Sequence, residues 1–141
     1  MKIGIIGTGS VGSALGRGFA RTGHEVVVGV RDTDKPEVRK LVEETGARAA
    51  SVAEAASGAE VVVLAMPWGA AQDVIRTAGG LDGKIVFDCI NPLNATFSGL
   101  DTGGARSAAE QVASWAPGAR VVKVFNSTGA GNMADPRYGD N

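Results

Sequence analysis

The feature that most constrains this chain is an apolar run near its start that ends in three regularly spaced glycines. Residues 2–6 (KIGII) predict a buried parallel strand, and the small and apolar residues at 11–20 predict the helix that follows it. Gly7, Gly9 and Gly12 form the pattern G-x-G-x-x-G. These glycines therefore fall at the turn between the strand and the helix.

Each glycine of this turn has a physical task if a nucleotide diphosphate binds there. Gly7 permits a tight turn, Gly9 lets a pyrophosphate approach the backbone because it has no Cβ, and Gly12 lets the helix pack closely on the strand. The pattern alone is weak in a chain with 21 glycines, where an ordinary glycine-rich turn is the alternative. A second apolar strand at 25–29 completes a βαβ unit of about 30 residues, which is the required context. We therefore expect the phosphates of a nucleotide at this helix N-terminus.

The length and composition predict one globular domain, a dinucleotide-binding domain over residues 1–141, with 44% hydrophobic residues. The net charge of −1 gives no overall field that would attract nucleic acid or an anionic membrane. The sequence opens directly on a strand pattern and has no apolar run of about 18 residues. We therefore expect neither a signal peptide nor a membrane span, and a cytoplasmic location.

No side chain stands out as a catalytic group or a metal ligand. Cys89 lies in an apolar run, where a buried structural thiol is expected. His24 is the single histidine and follows Gly23 in a turn at the end of the strands opposite the glycine turn. The sequence therefore predicts no Ser/His/Asp triad, no metal site and no catalytic acid or base.

The residues after the second strand bear on the choice of cofactor. An Asp or Glu at this strand end accepts hydrogen bonds from the adenosine ribose of NAD, whereas an Arg accommodates the 2′-phosphate of NADP. Here the strand is followed by Arg31 and Asp32, with Lys35 a turn later. Asp32 is an alternative ribose acceptor, but no carboxylate occupies the strand end itself. The pattern therefore favours NADP, with Arg31 and Lys35 facing the phosphate.

The rest of the chain alternates predicted strands and helices, which indicates an α/β fold with a doubly wound, mostly parallel sheet. Ser51 with Glu54 and Ser107 with Glu110 are capping boxes, each of which begins a helix. No further element is predicted after Asn132. The predicted strands are 48–50, 61–65, 84–89 and 121–125, and the predicted helices are 36–45, 51–58, 68–78 and 107–115.

The carboxyl ends of the later strands carry the remaining candidate site residues. Met66 and Pro67 end the fourth strand at the same sheet edge as Gly9, where a cofactor ribose would pass. Trp68 either contributes to this site or packs in the core. Asn91 offers a donor and acceptors at the edge, which suits contact with a nicotinamide or its ribose. The small residues at 126–131 are expected beneath the nicotinamide, with a flexible exit loop as the alternative.

Taken together, these motifs resemble the NADP oxidoreductases that depend on the deazaflavin coenzyme F420, and more loosely the dinucleotide domain of metalloreductases. The matching residues run through the whole chain in the expected order. They are GTGSVG at 7–12, GHE at 23–25, VGVR at 28–31, MPW at 66–68, SAAE at 107–110, VKVFN at 122–126, and Gly129 with Ala130.

The resemblance implies a Rossmann NAD(P)-binding fold and a set of cofactor contacts. It implies that the pyrophosphate is held by Thr8, Gly9, Ser10 and Val11, that the 2′-phosphate is held by Arg31 and Lys35, and that the nicotinamide meets Ala130. Two positions differ from archaeal members of the family. Val30 replaces a Ser able to bond the 2′-phosphate, which is expected to weaken the NADP preference without abolishing it. Asn126 replaces a His beside the deazaflavin, which leaves the second cofactor open.

The predicted activity is a hydride exchange between NADP(H) and a second planar redox cofactor, for which coenzyme F420 is the first choice. The nicotinamide is expected to reach toward Asn91 and Asn126. Three alternatives stay open: an NADPH-dependent flavin or ferric reductase module, a dehydrogenase or imine reductase, and a non-catalytic NADP(H)-sensing domain. The resemblance also implies a homodimer and a family sequence that continues beyond Asn141, so that this chain is expected to be a fragment.

Overall fold

The computed structural model of the protein describes residues 1–104 and 106–137. Strands and helices alternate along the chain, as the sequence predicts. In chain order they are β1 (Lys2–Ile6), α1 (Ser10–Arg21), β2 (Glu25–Gly29), α2 (Pro36–Thr45), β3 (Arg48–Ala50), α3 (Val52–Ser57), β4 (Val61–Leu64), α4 (Trp68–Ala78), β5 (Ile85–Asp88), α5 (Ala108–Trp115), β6 (Arg120–Lys123) and α6 (Ala130–Ala134).

The strands form one six-stranded sheet in the order β3-β2-β1-β4-β5-β6, and every neighbouring pair is parallel. The order reverses between β1 and β4, which is the switch point of a doubly wound fold. Ligands bind such sheets in the crevice outside the carboxyl ends of the strands at this point. The fold class predicted from the sequence is confirmed.

The sheet is covered on both faces, and each face carries its own core cluster. One cluster joins residues of β4 and β5 to helices α3, α4 and α5, and includes Leu64, Ile75 and Val112. The other joins β1 and β2 to helices α1 and α2, and includes Ile5 and Leu41 in addition to Leu15 and Val28. Burial on both faces explains why β4 reads as an uninterrupted apolar run, VVVL.

Two predictions near the end of the chain are corrected by the structure. The last strand was expected at 121–125, but β6 ends at Lys123, and Phe125 has a φ of 64° that no strand residue adopts. A helix, α6, occupies part of the region where no element was predicted, and residues 138–141 of that region lie outside the described residues. Helix α6 packs on α1 at Gly18, where a Cβ would lie 2.9 Å from the carbonyl oxygen of Met133. This helix depends on a distant contact, which local sequence signals do not contain.

Within the described ranges no helix combines the length and the apolar character that a membrane crossing would need. The same part of the chain contains no group of three His, Cys, Asp or Glu side chains arranged to hold a metal ion.

Candidate functional site

A crevice lies at the carboxyl edge of the sheet, between the ends of β1, β2 and β4. It therefore coincides with the switch point of the fold. Most of the predicted nucleotide-binding residues line it, namely Gly7, Thr8, Gly9, Val30, Arg31, Lys35, Met66 and Pro67. The structure thus brings together three separate stretches of sequence, 7–9, 30–35 and 66–67, around one open space.

The geometry of the glycine turn agrees with the three tasks predicted for it. Gly7 has a φ of +105°, and a Cβ there would lie 2.4 Å from the carbonyl oxygen of Ala65. A Cβ on Gly12 would lie 2.0 Å from the carbonyl oxygen of Gly7, so the close approach of α1 to the turn requires a glycine at this position. A Cβ on Gly9 would meet no protein atom within 4 Å. The backbone at Gly9 is therefore exposed to the space that a diphosphate would occupy.

Helix α1 begins at this turn without a side-chain cap. Gly9 is its N-cap residue and supplies no hydrogen-bonding side chain. By contrast, α3 and α5 each begin with a complete capping box, at Ser51 and Ser107. The first N–H groups of a helix have no partner within the helix, so those of α1 are available together with the positive end of the helix dipole. Such a helix end is suited to an anionic ligand.

Two cations approach the crevice from the end of β2. Arg31 and Lys35 both line it, and within residues 1–104 and 106–137 neither forms an ion pair. The neighbouring Arg39, in contrast, is paired with Asp34 at 3.0 Å. Asp32 also lines the crevice, and its Oδ1 accepts a hydrogen bond of 2.9 Å from the N–H of Asp34. The β2 end therefore presents two unpaired positive charges to a phosphate, and a carboxylate of which one oxygen accepts from its own loop.

The wall of the crevice includes apolar residues that the sequence did not reveal as site residues. Val52 at the start of α3, and Ala70 and Val74 on α4, also line the crevice. Their apolar character was visible, but the side of each helix that faces the crevice depends on how α3 and α4 pack together. This wall gives the crevice a surface that suits a flat aromatic group.

Asn91 and Asn126 lie next to each other at the ends of β5 and β6, outside the crevice lining. The Asn126 Nδ2 donates to the Asn91 Oδ1 at 2.9 Å and to the Ile90 carbonyl oxygen at 3.3 Å. The Asn126 Oδ1 is buried and accepts no hydrogen bond from the described residues. An unpartnered buried oxygen is costly, and no N–H or O–H of the described residues satisfies this one.

Four other predicted contacts also lie outside the crevice lining. Ser10, Val11 and Gly12 form the first turn of α1, directly behind Gly9. Ala130 is the first residue of α6. The structure therefore places the first three beside the proposed phosphate position, while the role of Ala130 stays a prediction.

Three further residues discussed from the sequence, Cys89, His24 and Trp68, have structural surroundings in the fold. Cys89 is buried, and burial, followed by the nearby Asp88 charge, raises the pKa of its thiol to about 12. His24 lies in the turn after α1, where its backbone N–H donates a hydrogen bond to the Phe19 carbonyl oxygen at 3.0 Å. Trp68 stacks at a tilt on Trp115, with 5.2 Å between ring centres. Of the two roles left open for Trp68, the structure favours core packing.

Comparisons with known proteins identify the family of the chain. A family model described as "NADP oxidoreductase coenzyme F420-dependent" matches residues 2–92. The F420-dependent NADP reductase of Methanothermobacter marburgensis is 31% identical, over 96% of this chain and 67% of that protein. The same enzyme of Methanothermobacter thermautotrophicus is 33% identical, over 96% of this chain and 65% of that protein.

A solved structure supports the same family. The crystal structure of a candidate F420-dependent NADP reductase from Arthrobacter sp. FB24 superposes with a TM-score of 0.87 and 34% identity, over 96% of this chain and 67% of that one. The chain thus spans about two thirds of the length of the relatives it matches. On the family match and these identities, the chain belongs to the family of coenzyme F420-dependent NADP oxidoreductases, as the sequence predicted.

Proposed function

We propose that the chain binds NADP(H) in the crevice at the switch point and exchanges a hydride between this nucleotide and coenzyme F420. The observation that carries the proposal is the meeting of an uncapped helix N-terminus, at Gly9, with two unpaired cations, Arg31 and Lys35. The family is defined by NADP and coenzyme F420, so the predicted oxidoreductase class and its two cofactors are confirmed at the level of the family.

The residues at the adenosine end fit NADP. The bare backbone at Gly9 leaves room for a pyrophosphate, and the first turn of α1, with Ser10 and Val11, would hold it through N–H groups. Arg31 and Lys35 would hold the 2′-phosphate, since Arg pairs with phosphate through its planar fork and Lys adds a second charge. The apolar wall at Val52 and on α4 would cover the adenine.

The residues at the ends of β5 and β6, where the nicotinamide is proposed to lie, suit a carboxamide group. The unpartnered Asn126 Oδ1 would accept a hydrogen bond from the carboxamide of the nicotinamide, next to Asn91. When bound, the nicotinamide and the deazaflavin would supply the two carbon centres for a direct hydride transfer. The protein then needs to position and polarise rather than to transfer a proton. This requirement agrees with the prediction of no catalytic acid or base.

The assembly and location follow as parts of the same proposal. We expect the chain to be the dinucleotide-binding domain of a cytoplasmic homodimer. The net charge of −1 supports small-molecule partners rather than nucleic acid. Size measurement of the full protein in solution tests the dimer, since a monomer at working concentration contradicts it.

The activity is tested by following NADPH oxidation with F420, with FMN and with no acceptor. Turnover with F420 alone supports the proposal. Turnover with FMN instead indicates a flavin reductase module, and tight NADPH binding without any turnover indicates a nucleotide sensor. The matched comparison is NADH under the same conditions, for which weaker binding is expected.

A further inference from the structure

An ion pair between a buried carboxylate and a partly exposed ammonium connects the ends of β5 and β6 next to the two asparagines. Asp88, the last residue of β5, is fully buried, and its Oδ2 lies 3.1 Å from the Lys123 Nζ at the end of β6. Asp88 Oδ1 accepts a hydrogen bond of 2.9 Å from the Ile90 N–H. The Lys123 ammonium also donates to the Ile90 carbonyl oxygen. The pair therefore fixes both the N–H and the C=O of Ile90, the residue before Asn91.

The same carbonyl also sets the orientation of Asn126. The Ile90 oxygen accepts from Lys123 and from the Asn126 Nδ2, which in addition donates to Asn91. With its amide nitrogen directed to these two acceptors, the Asn126 side chain is left with its Oδ1 unpartnered. Lys123 is thus connected through one carbonyl oxygen to both asparagines that are proposed to meet the nicotinamide.

A structural role alone does not require this arrangement. The Asp88–Lys123 pair contributes little net stability, because the buried Asp88 carboxylate loses its hydration and the 33% exposed Lys123 ammonium is screened by water. Its definite consequence is geometric, since charge-assisted hydrogen bonds are short and strongly directional. Small displacements of groups that hold a reactant are costly to binding and reaction.

We infer that Lys123, together with Asp88, is a positioning residue for the nicotinamide end of the site. It acts through the Ile90 carbonyl oxygen, and it holds Asn91 and Asn126 at the edge of the sheet where the nicotinamide is proposed to lie. This inference rests on the proposed function, because it needs NADP(H) to lie along the carboxyl edge.

The chain supplies a matched control at the opposite edge of the sheet. Lys84, just before β5, donates from its Nζ to the carbonyl oxygens of Ser57 at 3.0 Å and Ala59 at 2.7 Å. Like Lys123, it joins the end of one strand to the main chain of another segment. It lies at the amino ends of the strands, so it cannot reach a nucleotide bound at the carboxyl ends.

The experiment compares the affinities for NADP⁺ and for 2′,5′-ADP, which lacks the nicotinamide end. In the Lys123→Met variant we expect NADP⁺ to bind roughly tenfold more weakly while 2′,5′-ADP changes less than about twofold. The Lys84→Met variant is expected to change neither affinity. A second variant, Asp88→Asn with Lys123→Met, removes both charges and keeps an acceptor for Ile90, so that no buried carboxylate is left unpaired if the single variant fails to fold.

The outcomes separate the inference from the function on which it rests. Wild-type protein that binds neither ligand contradicts the proposed function as well as the inference. Wild-type binding with variants of Lys123 that behave like Lys84→Met contradicts the inference alone. Equal weakening of both ligands in a folded Lys123 variant also overturns it, because a general structural role would affect the adenosine end too.

Discussion

The two ends of the carboxyl edge of the sheet are built in different ways. At the glycine turn, the space for the diphosphate is made by main chain, since a Cβ on Gly7 or Gly12 would collide with a carbonyl oxygen and a Cβ on Gly9 would meet no protein atom. At the nicotinamide end, the positions of Asn91 and Asn126 are set by hydrogen bonds between side chains and carbonyl groups about 35 residues apart. The order of glycines in the turn is thus set by consecutive residues, whereas the Asn91–Asn126 contact depends on the completed sheet.

This difference teaches which substitutions each end tolerates. A main-chain site loses its function when a side chain is added, whereas a side-chain network loses it when a side chain is removed. The predictions below test this contrast, and they are ordered from the largest expected effect to the smallest.

Alkylation of Cys89 tests whether the core next to Ile90 and Asn91 is closed to small reagents in the folded protein. Burial raises the pKa of this thiol to about 12 from an ordinary value of 9.0. Because the thiolate is the reacting form, iodoacetamide at about pH 8 should modify the folded protein roughly a thousandfold more slowly than the unfolded chain. Mass spectrometry of timed samples with and without denaturant measures this ratio, and fast modification of folded protein contradicts it.

The same raised pKa predicts a pH dependence of stability. Between about pH 9 and 12 the unfolded chain releases the Cys89 proton while the folded protein retains it, so the free energy of unfolding falls as the pH rises. The Cys89→Ala variant lacks this contribution and is the control for denaturant titrations across that range.

Gly9→Val tests the main-chain end by adding a side chain. A Cβ at Gly9 meets no protein atom, so the fold should persist, but the valine would fill the phosphate position. We expect the affinity for NADPH and for NADH to fall by roughly a hundredfold or more. Calorimetric titration measures binding, and circular dichroism measures the fold.

Gly12→Val is the contrasting variant of the same turn. Its Cβ would lie 2.0 Å from the Gly7 carbonyl oxygen, so this substitution should destabilise the protein itself and lower Tm. Unchanged nucleotide affinity in Gly9→Val would show that the turn only has a structural role.

Arg31→Ala tests the assignment of the 2′-phosphate. Only NADPH carries the phosphate that Arg31 would meet, and a hydrogen bond to a charged group is worth about ten- to a hundredfold in affinity. We therefore expect this loss for NADPH and a change of less than about twofold for NADH. Arg39→Ala removes an equal charge from the neighbouring helix, where Arg39 is paired with Asp34, and should affect neither nucleotide. Equal losses for both nucleotides in Arg31→Ala would contradict the assignment.

The same contrast explains how much the sequence could predict. Helix α2 agrees with its predicted bounds because its signals are local: Pro36 stands at its first position, and Gly46 ends it with a φ of 70°. The glycine turn is likewise contained in a few consecutive residues. The Asp88–Lys123 pair, helix α6 and the apolar wall at Val74 were not predicted, since each depends on segments that meet only after folding.

The smallest effects are expected from the two capping boxes that begin α3, beside the crevice, and α5, beside β6. The Glu54 N–H donates to the Ser51 Oγ and the Glu110 N–H to the Ser107 Oγ, both at 3.2 Å. Replacing either serine by alanine should therefore lower stability equally, by about 1 kcal/mol. Only Ser51→Ala should also weaken NADPH, by roughly twofold, because it loosens the start of α3, where Val52 lines the crevice. Thermal melts verify that the stability losses match, and calorimetric titrations then compare the affinities. An equal affinity loss in Ser107→Ala would mean that the helix beside β6 affects the adenosine end, and that the two regions are not independent.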